Sequence, residues 1–365
     1  MTADKILEIG GIAAGFAGRA FAQTGYDVVR IEDSGHANGP AWVSDHALDL
    51  FLHAGKRRIA TDDPDLIAAL AAQADVVILE AASADAVLSA GFDYWKCPVK
   101  VAITPFGRTG PRRNWRGTEN VLQAMGGYSN LIGDQDTAPL TLPGHYADLQ
   151  SGNWAYMVAN ACRLGEFNEA ADISKLEVVM SLSQFTTVQW HCADNIRSRH
   201  GNDFWWVCPS TQFKLADGWV YINIVPTFWD PFTTFLGRPE LVLDGRFATN
   251  GTRMANREAL HEIISSVMES MTRAEVEKSA RDYRVPVGVV QTFDDILSNE
   301  HLAERDFWQT LKNSDTSEID TVQAPPLPFR FDDKPWPAQT LTPAECNVTS
   351  GAFHTTHTSN LSENL

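Results

Sequence analysis

Asp148 stands in the run Leu142-Pro143-Gly144-His145-Tyr146-Ala147-Asp148-Leu149-Gln150-Ser151-Gly152. It is a lone carboxylate between a Pro-Gly break and the apolar helical stretch Trp154 to Leu164. An acid at a helix start lies among unpaired N–H groups, at the positive end of the helix dipole. Both favour its ionised form. A positioned carboxylate can attack an acyl carbon and form a mixed anhydride. The same placement suits a simple N-cap, because Asp is among the residues preferred there. The segment alone admits either a nucleophile or a cap.

The elements that must position such a residue are legible upstream. Lys5 to Ile9 reads as a strand, Gly10-Gly11 as a turn, Ala13 to Thr24 as a small-residue helix and Tyr26 to Glu32 as a second strand. Asp63-Pro64 is a helix start, with Asp as cap and Pro at the first helical position. Leu66, Ile67 and Leu70 share one face of that helix. Asp75 to Leu79 and Val99 to Ile103 are continuous apolar runs of the kind buried in parallel sheets. Strands alternating with helices predict an α/β fold, with a large Rossmann-like domain built on a mostly parallel sheet.

Near residue 205 the texture changes. Gln212 to Leu215 lead to a turn, Asp217-Gly218, and Trp219 to Ile224 then reads as an aromatic, β-branched strand. Leu260, Ile263, Ile264, Val267 and Met268 recur at helical spacing, and Thr272 to Glu275 is a capping box. The expected organisation is a large α/β domain over 1–204, a smaller α+β domain over 205–295, a return segment over 296–339 and a flexible tail over 340–365.

With 365 residues, 44% hydrophobic and 21% charged, the chain can build two cores. A net charge of −17 makes nucleic acid and anionic membrane surfaces poor partners. No apolar run reaches the roughly 18 residues of a membrane span. A polyanionic ligand would need a local basic patch. Lys56-Arg57-Arg58 is one candidate, and Arg108, Arg112, Arg113 and Arg116 are another. Each of these side chains reads equally well as solvated surface charge. The aromatics Trp42, Trp205, Trp206 and Trp229 suit a pocket or a core.

Cys97, Cys162, Cys192, Cys208 and Cys346 are scattered and form no C-x-x-C pair. This predicts reduced thiols in a cytoplasmic protein, with no metal site. His191 and Cys192 adjoin on a predicted helix and read as packing residues. Ala20-Phe21-Ala22 mimics a signal-peptidase site, but Glu8 and Arg19 interrupt the apolar run before it, so export is not expected.

Several motifs occur in a telling order. Ile103-Thr104-Pro105-Phe106-Gly107-Arg108-Thr109-Gly110-Pro111 is followed by Gln123-Ala124-Met125-Gly126-Gly127. Ala14-Gly15-Phe16-Ala17-Gly18, Gly55-Lys56-Arg57-Arg58-Ile59, Arg246-Phe247-Ala248-Thr249-Asn250, Val285 to Val290 and His301 to Arg305 add further landmarks. Together they resemble the family III CoA-transferases, the carnitine dehydratase/bile-acid-inducible group. There a T-x-F-G-x-x-G-P turn is followed by a Q-A-x-x-G helix. About twenty-five residues further on comes Asp-x-x-x-Gly, with the Asp as nucleophile. Gln123 and Asp148 are spaced accordingly, and Gly152 completes the motif.

The resemblance implies that CoA passes between two carboxylic acids through covalent intermediates on Asp148. Backbone N–H groups would stabilise each oxyanion. Glu119 would be an acidic neighbour of the nucleophile, and Gly152 would allow close approach. Ala14 would pack near the adenine end of CoA, and Lys56, Arg57 and Arg116 would meet its phosphates. CoA and acyl-CoA would be substrates, with no permanently bound cofactor, and the chain would form an interlocked homodimer. The run Leu79-Glu80-Ala81-Ala82-Ser83-Ala84-Asp85 departs from the family's V-E-N-F-x-P-G. Phe16 replaces a usual Pro, and a glycine-rich loop is not apparent near Val225-Pro226-Thr227.

Alternatives are a non-catalytic or hetero-oligomeric subunit of the same type, and an acyl-CoA racemase or isomerase of the superfamily. A dinucleotide-binding oxidoreductase is a further possibility. Gly11, Gly15 and Gly18 follow a strand, and Glu32 ends the next, although G-x-G-x-x-G is absent.

Overall fold

The computed structural model describes residues 4–32, 46–167, 169–313, 321–342, 345 and 353. Trp42, Cys346 and the segment Asp33 to His36 lie outside the described residues. The chain divides into two units, one of residues 1–129, 141–196 and 300–365, the other of residues 130–140 and 197–299. The change of texture seen in the sequence near 205 thus falls at 197, and the return near 296 falls at 300.

In the first unit, alternating strands and helices run β1 Lys5–Ile9, α1 Ile12–Gln23, β2 Asp27–Glu32, α2 His46–His53, β3 Arg57–Ala60, α3 Pro64–Ala71, β4 Val76–Glu80, α4 Ala84–Ser89 and β5 Val99–Thr104. There follow α5 Glu119–Met125, α6 Tyr146–Leu164, β6 Ala170–Ser174, α7 Lys175–Ser181 and α8 Gln184–Ala193. The sheet order is β3-β2-β1-β4-β5-β6, and every neighbouring pair is parallel. The apolar runs predicted as buried strands are its centre, with Ile6, Leu7, Val76, Val77, Ile78 and Val101 all fully buried. Asp63 caps α3 as expected, accepting from the Asp65 N–H at 3.0 Å.

The second unit holds β7 Ser210–Lys214, β8 Trp219–Asn223, α9 Trp229–Phe235, α10 Asn250–Ala255, α11 Arg257–Met268, α12 Arg273–Tyr283, β9 Val287–Val289 and α13 Phe293–Leu297. Its sheet, β7-β8-β9, is antiparallel. The helical stripe Leu260, Ile264 and Met268 packs on Phe213, Val220 and Ile222, and Trp229 joins that core. Trp206 is exposed. The capping box at Thr272 and Glu275 forms. Residues 130–140 belong here because their carbonyls are held by residues near 200. Arg199 donates to the carbonyls of Asp134, Gln135 and Thr137, and Gly201 N–H donates to Gly133 at 2.9 Å.

The chain then returns to the first unit through α14 Glu300–Glu304, β10 Gln309–Asn313, β11 Thr321–Ala324 and β12 Gln339–Leu341. From 340, where a disordered or loosely docked tail is expected, the few described residues make defined contacts. β12 pairs in parallel with β10, Glu345 bridges to Ile59, and Phe353 is buried against Leu7 and Val29. These contacts bury apolar surface that a free tail would expose. His191 and Cys192, read as packing residues, are instead exposed on α8. No helix among the described residues is long and apolar enough to cross a membrane.

The basic run after α2 also points elsewhere than expected. Lys56 is buried, its ammonium donating to Glu8 Oε2 at 2.5 Å and to the Gly15 carbonyl at 2.7 Å. Glu8, on β1, also takes Arg30 from β2 at 2.5 Å. Gly18 leaves room for this carboxylate, because a Cβ there would overlap Glu8 Oε2. Burial, against the pull of Glu8, lowers Lys56 from 10.5 to about 8, with Arg30 and Arg19 adding to the fall. Burial and the cations Arg30, Lys56 and Arg58 hold His53 neutral, so its Nδ1 can accept from Lys56 at 3.3 Å.

Two outcomes follow from this cluster. Glu8→Gln leaves two buried cations without their shared anion, and we expect a loss of about 3–5 kcal/mol in urea unfolding. The unfolded chain keeps the Lys56 proton to higher pH than the folded one. The stability of wild type relative to Lys56→Met should therefore rise with pH between about 8 and 10.5. Unfolding midpoints of both proteins across that range check the sign.

Candidate active site

In an open parallel sheet the ligand crevice lies beyond the carboxyl ends of the strands, where the strand order reverses. Here that point is between β1 and β4. β1 ends at Gly10-Gly11, and β4 ends at Glu80. Gly10 has φ +123°, and a Cβ there would lie 2.5 Å from the Glu80 carbonyl oxygen, so only glycine lets the two strand ends pass. Glu80 Oε2 accepts the Ala14 N–H at 3.0 Å and so satisfies a free donor at the start of α1.

The other Glu80 oxygen meets a cation. Lys175, the first residue of α7, follows directly on β6. Its Nζ donates to Glu80 Oε1 at 2.5 Å and to Asp148 Oδ1 at 2.6 Å. The side-chain exposures are 9% for Lys175, 12% for Glu80 and 17% for Asp148, so the group is largely withdrawn from water while Asp148 stays reachable.

Asp148 is the third residue of α6, within its first turn. The N-cap position is His145, and no side chain of that residue caps the helix. The capping is done by Glu119, the first residue of α5. Its Oε1 accepts the Ala147 N–H at 2.8 Å, and its Oε2 accepts the Asp148 N–H at 3.3 Å. The cap reading of Asp148 is thereby overturned: another carboxylate serves the helix start, and the Asp148 carboxylate faces Lys175. Gln123 holds Glu119 through Nε2 at 2.8 Å and clasps Leu142 with both ends of its amide. His145 Nδ1 lies 3.7 Å from Asp148 Oδ2.

Burial raises the Asp148 pKa above its ordinary 3.8. Lys175 opposes this, while Glu80 and Glu119 add to it. Burial would lower Lys175, but Glu80 and Asp148 outweigh it and hold the ammonium well above its ordinary range. One cation serves two carboxylates, so the cation is held firmly and each carboxylate only in part.

The structure brings together some of the residues expected from sequence and separates others. Asp148, Glu119 and the Ala14 backbone share the site. At Gly152 the close approach is that of the α1 backbone: a Cβ there would lie 2.6 Å from the Ala13 carbonyl oxygen, so the glycine seats α6 on α1. Lys56 is corrected. Expected at CoA phosphates, it is buried with Glu8, because the first strand carries an acid that needs a partner. Arg57 is half-buried on β3, and Arg116 is exposed just before α5. Arg112 and Arg113 are exposed beside it, whereas Arg108 pairs with Asp93 at 2.5 Å.

Sequence reasoning missed Lys175 and the part played by Glu80. A signal was present. A lysine in the first turn of a helix faces the wrong end of the dipole, and such a locally unfavourable choice marks a site. The glycines read as a dinucleotide fingerprint face buried side chains instead. Gly15 abuts His53, and Glu32 is engaged by Arg58 at 2.7 Å.

Known proteins share this arrangement of elements. Residues 4–345 match CoA-transferase family III. The chain is 25% identical to the succinate–glutarate CoA-transferase of Agrobacterium fabrum, with 90% of each chain covered. It is 26% identical to the succinyl-CoA–D-citramalate CoA-transferase of Chloroflexus aurantiacus, covering 86% of this chain and 84% of that one. Its fold is similar to that of a CAIB/BAIF family protein from Brucella suis, with a TM-score of 0.78 at 24% identity, covering 90% of this chain and 92% of that one. The match runs from β1 to the bridge at Glu345, and the chain belongs to CoA-transferase family III.

Proposed function

We propose that this protein moves CoA between carboxylic acids through covalent intermediates on Asp148. The observation that supports this most is the Asp148 carboxylate itself, relieved of capping by Glu119 and held by one ammonium in a largely buried site. The carboxylate attacks the donor thioester, giving an aspartyl anhydride and CoA thiolate. The thiolate attacks the aspartyl carbonyl, giving an aspartyl-CoA thioester and the free donor acid. The acceptor carboxylate then repeats the two steps in reverse order. Burial matters because water would hydrolyse the anhydride.

CoA is a substrate in this scheme. Ala14, expected beside the adenine, is fully buried in the core of the first unit and offers no surface to that ring, whereas exposed Arg116, with Arg57 on β3, supplies charge for phosphates. The names of the two relatives point to short dicarboxylic acids, with succinyl-CoA as the first donor to test. The family resemblance adds a homodimer. In support, α8 buries none of its residues, and Trp190, Val188 and Phe185 on it are at least half exposed, as are Met180 and nearly so Met157. Apolar patches of this kind mark association surfaces. A second copy of the chain is the occupant we assign, and a cytoplasmic enzyme is the setting.

Intact-protein mass spectrometry after incubation with succinyl-CoA, glutaryl-CoA and other acyl-CoAs should show an acyl- or CoA-sized adduct on wild type and none on Asp148→Asn. No adduct on either, with no CoA binding by calorimetry, would favour a non-catalytic subunit. Raised by burial, Asp148 takes up its proton earlier on acidification than an ordinary carboxylate. The kcat/KM profile should therefore fall on the acid side with an apparent pKa above 3.8. Sedimentation velocity should give a dimer, and Trp190→Glu with Val188→Glu should shift it toward monomer.

A further inference from the structure

Lys175 touches one carboxylate oxygen of the proposed nucleophile. Its ammonium lies 2.6 Å from Asp148 Oδ1, on a helix start where a cation is otherwise disfavoured. Glu80, anchored by the Ala14 N–H, holds it at 2.5 Å from the opposite side. The groups facing Asp148 are the charged Lys175 from α7, Glu80 from the end of β4 and Glu119 from α5, and the titratable His145 at the start of α6.

We infer that Lys175 is a catalytic residue, the fixed counter-ion for a single negative charge that changes owner during the reaction. This rests on Asp148 being the nucleophile. Before reaction the charge is on the Asp148 carboxylate. When Asp148 bonds to the acyl carbon and the C–S bond breaks, Asp148 becomes neutral and the charge leaves on the CoA sulfur. When the thiolate attacks the aspartyl carbonyl, the anhydride C–O bond breaks and the charge passes to the donor acid. An incoming acceptor carboxylate then brings the same charge back. At each chemical step one exchanging anion is present, and after the donor acid leaves the site holds none until the acceptor enters. A cation that lost its Asp148 partner would retain Glu80, and its other two N–H groups would be available to whichever anion had replaced Asp148. Three rotatable donors on a compact ammonium suit such an exchange.

The ordinary alternative is an ion pair that only ties α7 to α6. That role predicts a loss of stability and nothing about pH or acceptor binding. The test measures acyl-enzyme formation against pH, by rapid quench and intact mass, for Lys175→Met, Lys175→Arg, Glu80→Gln and Asp148→Asn. Circular dichroism reports folding of each.

Lys175→Met should slow acylation about 100-fold or more at neutral pH. It should also move the acid limb up by about one to three pH units. Lys175→Arg should keep the limb near wild type. Glu80→Gln removes a like charge and should move the limb down. KM for the acceptor acid should rise in Lys175→Met more than in Lys175→Arg. Wild-type acylation and an unmoved limb in Lys175→Met would overturn the inference while leaving Asp148 as nucleophile. Adduct formation by Asp148→Asn would instead overturn the reading on which it rests. Should Lys175→Met fail to fold, a limb that stays put or rises in Glu80→Gln overturns the inference.

Discussion

One ammonium, that of Lys175, ties the end of β4, the start of α7 and the first turn of α6 to one point in space. Two carboxylates brought this close, and this far from water, would repel one another if no cation lay between them. The placement of Glu80 also settles the start of α1, whose Ala14 N–H it accepts. Four elements separated by long stretches of chain thus depend on one shared charge. They meet where the strand order reverses, because there the helices diverge and leave the strand ends open.

The division of labour among the acids follows from this. A helix start needs its free N–H groups satisfied, and an Asp there would ordinarily do so itself. Glu119 takes over that duty from α5 and is kept in place by Gln123, which also fixes Leu142 just before the Pro-Gly break. The Asp148 carboxylate is left with an ion pair in place of a cap. Small residues complete the arrangement. Gly10 lets β1 pass the end of β4, and Gly152 lets α6 lie against α1, so the backbones approach closely enough for Glu80 and Asp148 to share one lysine.

A second charge cluster runs through the same sheet and shows how position changes meaning. Glu8, Arg30 and Lys56 form a buried group under α1, and Glu32 is bound by Arg30 and Arg58. Its members resemble ligand-binding residues in type. Yet each is spent on a neighbour within the core, which is the condition for burying charge at all. Arg112, Arg113 and Arg116, before α5, are exposed instead.

Much of this was readable in the residues. The apolar runs, the Asp63-Pro64 start and the Thr272–Glu275 box dictate local structure through burial, fixed φ and hydrogen bonds to adjacent N–H groups, all short-range effects. The spacing from Gln123 to Asp148 carried the family resemblance, and Asp148 and Glu119 do meet. What the linear order could not convey was which acids and cations pair. Lys56 and Lys175 are the same residue type beside apolar strands, but one is drawn into the sheet by Glu8 and the other to the site by Glu80 and Asp148. Pairing of charges depends on distances between elements far apart in the chain. Only the assembled sheet, with α1 and α6 packed against it, sets those distances.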